Sequence, residues 1–106
     1  MPKYLFEVSY TPAGAAGVVK DGGSQRRAAA EQLMQSLGGT LECMYFAFGA
    51  VDAVAIVDLP DNVSAATASL ATAGSGALTG KITVLLTPEE IDAAAKRGAV
   101  YTPPGQ

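Results

Sequence analysis

Histidine and tryptophan are absent from this chain of 106 residues, and cysteine occurs only once, as Cys43. Without histidine, the chain cannot build Ser-His-Asp or Cys-His catalytic sets, histidine-ligated haem or the usual zinc sites. A single cysteine forms no disulfide within the chain. Cys43 stands in a strand-like run, where we expect a buried small apolar residue rather than a nucleophile. We therefore expect neither a metal nor a cofactor.

Charge is also scarce, since charged residues make up 16% of the chain and the net charge is −3. Sequence-independent nucleic-acid binding needs a basic face, and the seven basic residues are scattered. No apolar run is long enough to span a membrane, and the opening MPKYLFEV lacks the features of a signal peptide. We therefore predict a cytoplasmic protein that has neither a nucleic acid nor a membrane as partner.

The most informative segment is the run GTLECMYFAFGAVDAVAIVDLP over residues 39–60. Two β-rich apolar stretches, 40–48 and 52–58, flank a short turn over 49–52. Gly-Gly precedes them and Leu-Pro-Asp follows them, which are signals for the end of one helix and the start of another. The pattern predicts the central hairpin of a small α+β domain.

Further strands are predicted over 3–10, from its period-two alternation, and over 78–86. One helical turn is expected over 15–20, and a helix capped by Ser24 is expected to reach Leu37. Its predicted core stripe excludes the basic pair Arg26–Arg27 and consists of Ala30, Leu33, Met34 and Leu37.

Two more helices are expected in the second half of the chain. One opens at residues 60–62, and four of its apolar residues fall on one face: Val63, Ala66, Leu70 and Ala73. The other has the strongest local signal in the chain, because Thr87 can cap it, proline follows, and Glu90 completes a capping box. It should end near residues 97–98.

The predicted order is βαββαβ followed by a short helix, which is the ferredoxin-like plan with one four-stranded antiparallel sheet. Both main helices would pack on one face of the sheet and leave the other uncovered. Two such sheets can pack face to face as a dimeric α/β barrel. We predict one domain over 1–98, a Pro-rich tail over 99–106, and a homodimer or a higher oligomer.

Short motifs along nearly the whole chain carry a family resemblance. They are Pro2-Lys3-Tyr4, Gly17, Lys20-Asp21, Arg26 or Arg27, Leu37-Gly38-Gly39, Tyr45, Gly49-x-x-Asp52, Val54-Ala55-Ile56, Leu59-Pro60-Asp61 and Leu86-Thr87-Pro88-Glu89-Glu90. In order and spacing they resemble the GYD-domain proteins, small bacterial proteins of the dimeric α/β-barrel type with no settled activity. The family's Gly-x-Tyr-Asp turn reads Gly-Ala-Val-Asp here, so Val51 replaces the tyrosine.

Two carboxylates are candidates for a ligand site. Asp52 follows the hairpin turn, where it either accepts backbone N–H groups or faces a ligand at the mouth of the sheet. Glu7 lies opposite the aromatic face of the first strand, so it would point between paired sheets, or pair with Lys81 on the fourth strand. The phenols of Tyr10 and Tyr45 stand near strand ends.

Basic residues near the Gly22-Gly23 loop are a further candidate. Lys20, Arg26 and Arg27 could hold a carboxylate or phosphate there, or form a solvated helix start. The candidate ligand-binding residues are Glu7, Tyr10, Lys20, Arg26, Tyr45, Asp52 and Lys81.

Three functions remain open from the sequence. The first is small-molecule binding in a cavity between paired sheets. The second is a cofactor-independent monooxygenase or isomerase, which rests on analogy with other dimeric α/β-barrel proteins. The third is a non-catalytic assembly or interaction protein.

Overall fold

The computed structural model describes residues 1–47 and 49–106 and contains four strands and four helices. Phe48, which the sequence placed at the end of the second strand, lies outside the described residues. The elements follow the order β1 (Lys3–Tyr10), α1 (Pro12–Asp21), α2 (Gly23–Ser36), β2 (Thr40–Phe46), β3 (Ala53–Asp58), α3 (Asn62–Gly74), β4 (Leu78–Leu85) and α4 (Pro88–Arg97).

The four strands form one antiparallel sheet in the order β2-β3-β1-β4. This is the ferredoxin-like arrangement that the element order predicts, with β2 and β3 as a hairpin. Tyr4 pairs with Val57 on β3 and with Val84 on β4, so β1 is central. A register shift between Leu41 and Cys43 interrupts the β2–β3 ladder.

The core lies between one face of the sheet and the helices α2 and α3. Its buried side chains are Tyr4, Met34, Val57, Leu59, Ala65 and Ala68. The Tyr4 hydroxyl donates a 2.7 Å hydrogen bond to Asn62 Oδ1 at the start of α3. Burying a tyrosine this fully is favourable only when its hydroxyl has such a partner.

The segment after β1 forms a ten-residue helix, α1, instead of the single predicted turn. The Thr11 hydroxyl accepts the Gly14 N–H at 3.1 Å, and Pro12 follows at the first helical position. A Cβ at Gly14 would overlap the Ala77 carbonyl oxygen, so this glycine allows α1 to approach the start of β4 closely.

The predicted cap at Ser24 is wrong, because the N-cap of α2 is Gly22, two residues earlier, and no side chain caps the helix. The predicted glycine exit is confirmed. Gly38 has φ +80°, and the Gly39 N–H reaches back to the Met34 carbonyl at 2.9 Å, as in a Schellman motif.

The face of α3 that packs on the sheet is not the one that holds its larger side chains. Val63 and Leu70 are each 75% exposed, whereas Ala65 and Ala68 are buried. The face of α3 that carries Val63 and Leu70 is therefore not its buried face. Asp61 caps the helix by accepting the Ser64 N–H at 2.8 Å.

The helix α4 has the predicted capping box and the predicted end. Thr87 Oγ1 accepts the Glu90 N–H at 3.1 Å, and Glu90 Oε1 accepts the Thr87 N–H at 3.0 Å. Every residue from 86 to 106, here called the C-terminal arm, is exposed. The radius of gyration is 16.9 Å, against about 13 Å for a compact chain of this size. Among the described residues, none of the helices combines the length and the hydrophobicity that a membrane span requires.

Candidate functional site

An apolar cavity of about 120 Å³ lies between the sheet and the helices α2 and α3. The sheet contributes Phe6, Val8 and Ile82, and α2 contributes Ala30 and Leu33. The lining includes Ala29 and Ala30 on α2 and Ser69 and Thr72 on α3, and these short side chains leave part of the space between the layers unfilled. This leaves a void of about the size that binds benzene in a protein core.

Arg26 is the charged residue among those lining the cavity. It was predicted to lie away from the core stripe, and this is wrong: the residue stands one turn before Ala30 and is half-buried. Its neighbour Arg27 is exposed and approaches Glu31 at 3.9 Å. The two arginines therefore occupy different environments, although they are adjacent in sequence.

Tyr10 connects this cavity with a more open cleft at the end of β1. The outer cleft measures about 390 Å³ and is lined by Tyr10, Ala15, Val18, Gly23, Phe46, Ala47 and Asp52. Tyr10 lines both spaces, so it marks the boundary between the inner cavity and the more open outer cleft. Tyr10, Arg26 and Asp52 are the predicted site residues that the structure brings to this end of the sheet.

Asp52 holds the hairpin turn against β1. Its Oδ2 accepts the Tyr10 backbone N–H at 2.9 Å, while its own N–H donates to the Val8 carbonyl at 2.8 Å. The carboxylate thus accepts a backbone N–H, as one of the two sequence interpretations held, but the donor belongs to a neighbouring strand and not to the turn. Since Asp52 also lines the outer cleft, the carboxylate borders the cleft while it fixes the turn.

Glu7 and Lys81 lie on the sheet surface opposite the helices, which we call the open face. They are register partners between β1 and β4, as the period-two alternation required. The described residues show no ion pair between them. Because the sheet separates the open face from the apolar cavity, these two residues do not share a site with Arg26.

The open face also carries an ion-pair network at one end. Lys3 Nζ lies 2.8 Å from Glu42 Oε1 and 3.0 Å from Asp58 Oδ1, which joins β1 to β2 and β3. The hydrogen bonds to Glu42 and then Asp58 raise the pKa of Lys3 above its ordinary value of 10.5. The described residues contain no group of three or more side chains arranged to hold a metal ion.

Two predicted residues lie elsewhere. Tyr45 is 67% exposed on the open face of the edge strand β2, beside shallow clefts that Arg27 also lines. Lys20 is exposed on α1 and lines none of the four cavities described among these residues. The basic cluster proposed around Gly22-Gly23 is therefore divided, and only Arg26 reaches the apolar cavity.

Sequence reasoning missed the cavity itself. Leu33 was expected to be a packing residue, and the void between Leu33, Phe6 and Ile82 depends on spacing between layers that no local pattern records. The available signal was the small size of residues on the helices, such as Ala30 on α2 and Ser69 on α3, because small side chains limit how much volume the helices can fill. The predicted cavity between two paired sheets stays a prediction, since a single chain has one sheet.

Comparisons with known proteins give one match. The family model described as GYD domain matches residues 4–95. Neither the curated proteins nor the solved structures contain a match to this chain. The matched region runs from the first strand into α4 and includes the cavity, the outer cleft and the open face. On this basis, the chain belongs to the GYD-domain family.

Proposed function

We propose that this protein binds a small, largely apolar molecule in the cavity between the sheet and the helices α2 and α3. The observation that carries the proposal is the lining of the cavity, in which apolar side chains surround very few polar groups. Small-molecule sites in proteins have this composition, with a few polar groups that orient the ligand. The proposal concerns binding and assigns no reaction to the site.

The proposed location differs from the space between paired sheets that the sequence suggested. The ligand would enter from the outer cleft past Tyr10, which borders both spaces. The hydroxyl of Thr72 already donates to the carbonyls of Ala68 and Ser69, so it is engaged within α3. Ser69 adds a second hydroxyl on α3 to a lining that is otherwise mostly apolar, so the interior suits a largely apolar body.

Filling the cavity tests this proposal. Amide chemical shifts are followed by NMR during titration with benzyl alcohol, a small neutral probe. We expect shifts around Phe6, Leu33 and Thr72 in the native chain and their loss in the variant Ala30→Leu. The matched control is Ala28→Leu, because Ala28 is exposed on the same helix. Absence of saturable shifts in the native chain, or equal loss in both variants, would contradict binding in this cavity.

Assembly with a second copy is a further candidate function, and the open face and the C-terminal arm favour it. None of the described side chains on the open face is buried, although its centre is apolar, with Leu5 on β1 and Ile56 on β3. A small domain gains considerable stability when such a face is covered.

The order of acidic and basic residues along α4 favours another copy of this chain as the partner. The helix α4 begins with Glu89, Glu90 and Asp92 and ends with Lys96 and Arg97. When two such helices run antiparallel about a two-fold axis, each acidic end meets a basic end. An isolated ten-residue helix is marginal in water, so α4 gains stability from such a contact.

Light scattering over a concentration series tests the assembly. We expect the native chain to be a dimer or larger, and Tyr45→Lys on the open face to shift it toward the monomer. Val63→Lys serves as the control, because Val63 is comparably exposed but lies on α3. Truncation after Leu86 should weaken association as well. A native chain that is monomeric at high concentration would overturn this candidate function.

A further inference from the structure

We infer that the ligand of the apolar cavity is a monocarboxylate with a compact apolar body, and that Arg26 holds its carboxylate. The inference rests on the proposed binding function and adds the chemical class of the ligand. It starts from the contrast between two adjacent arginines on α2. Arg26 is half-buried at the cavity, whereas Arg27 is exposed and lies 3.9 Å from Glu31.

Arg26 has no carboxylate partner among the described residues. A guanidinium group that is partly withdrawn from water loses hydration, and this loss is offset when an anion approaches its donors. Arginine has a planar fork of N–H donors that matches the two oxygens of a carboxylate. The cavity therefore offers one strong site for a planar anion at its wall.

The single positive charge argues for a single negative charge on the ligand. The other lining residues are uncharged, and the chain as a whole carries a net charge of −3. A phosphate or dicarboxylate would bring a second charge that nothing in the cavity compensates, and its desolvation would be unfavourable. One carboxylate balances Arg26 and leaves the remainder of the ligand neutral.

The size and lining of the cavity limit the rest of the ligand. A volume of about 120 Å³ suits one ring or a short branched chain. The side chains of Phe6, Leu33 and Ile82 offer apolar contact to such a body. Tyr10 stands at the boundary with the outer cleft, where a larger substituent would emerge.

A pair of probes separates the charge from the apolar body. Benzoate and benzyl alcohol have similar rings, and only benzoate carries a carboxylate. We expect the native chain to bind benzoate more tightly, by about tenfold or more, in calorimetric or NMR titrations. The variant Arg26→Gln should lose about tenfold to a hundredfold in benzoate affinity and keep its affinity for benzyl alcohol.

Arg27→Gln is the matched control, since it removes the same charge one residue away and should leave both affinities unchanged. Arg26→Lys keeps the charge and should retain part of the preference for benzoate. This result would show that the loss in Arg26→Gln comes from the missing charge and not from a folding defect. If the probes bind equally well, or if the two arginine variants behave alike, the carboxylate inference is overturned while binding in the cavity stands. If neither probe binds, the cavity proposal fails with it.

Discussion

The carboxylate of Asp52 and the backbone N–H of Tyr10 are joined by a 2.9 Å hydrogen bond that links the hairpin turn to the end of β1. Both residues border the outer cleft, and Tyr10 also borders the apolar cavity. The position of the phenol between the two spaces therefore depends on a contact made by a residue of the turn. This contact couples the stability of the hairpin to the geometry of the proposed site.

Removing this contact should destabilise the fold. Asp52→Ala leaves the partly buried Tyr10 N–H without its acceptor, and we expect a loss of about 1–3 kcal/mol in the free energy of unfolding. Urea unfolding followed by circular dichroism measures the loss. Asp21→Ala, at the exposed end of α1, is the control and should change stability little. Equal effects in both variants would mean that the contact contributes nothing specific.

Two glycines in α1 should respond to alanine in opposite directions. Gly14 is buried, and an added Cβ would overlap the Ala77 carbonyl oxygen, so Gly14→Ala should destabilise by about 1–3 kcal/mol. Gly17 has open space at the same position, and Gly17→Ala should stabilise by about 0.5–1 kcal/mol through higher helix propensity. Thermal unfolding of the two variants measures whether each change stabilises or destabilises the fold. If both variants shifted stability in the same direction, the packing described for α1 would be contradicted.

Local patterns predicted the elements whose signals lie within a few residues. The alternation of Lys3–Tyr10 predicted β1 with its observed bounds, and Thr87 with Glu90 predicted the start of α4. The order of these elements then led to the ferredoxin-like sheet, because the chain has few other ways to cover a four-stranded sheet with two helices. Tyr10 and Asp52 were singled out from their places at strand ends.

Features set by distances between elements were harder to predict. On α3, the predicted apolar face included Val63 and Leu70, which are exposed, whereas Ala65 and Ala68 are the buried residues of the helix. Arg26 was placed away from the core stripe, although it stands one turn before Ala30 and lines the cavity. In both cases, which side chains are buried depends on the distance between the helix and the sheet.

Cys43 offers a direct probe of the open face. It is half-buried, is register partner of Ile56, and is the only cysteine in the sequence. If the open face is covered in an assembly, we expect its alkylation by iodoacetamide to slow as protein concentration rises, and Tyr45→Lys to remove this dependence. The control is a cysteine introduced at Val63 in a Cys43→Ser chain. It should react at the same rate at every protein concentration. A concentration-independent rate at Cys43 would count against coverage of this face.

The start of α3 contributes a pH-dependent element to stability. Asp61 Oδ1 accepts hydrogen bonds from the Ser64 N–H and the Ser64 hydroxyl, each at 2.8 Å. These bonds, led by the backbone one, lower the pKa of Asp61 below its ordinary value of 3.8. A carboxyl group whose pKa is lowered by folding stabilises the folded state above its unfolded-state pKa. That stabilisation is lost as the pH falls through the folded-state pKa.

The variant Asp61→Asn isolates this effect, because asparagine caps helices about as well as aspartate but does not titrate. At pH 7, the native chain should be the more stable of the two, since a negative charge at a helix N-terminus is favourable. Urea midpoints measured from pH 7 down to pH 3 should keep this difference until the pH falls below about 4 and then converge. A difference that stays constant over the whole range would show that the charge on Asp61 does not stabilise α3.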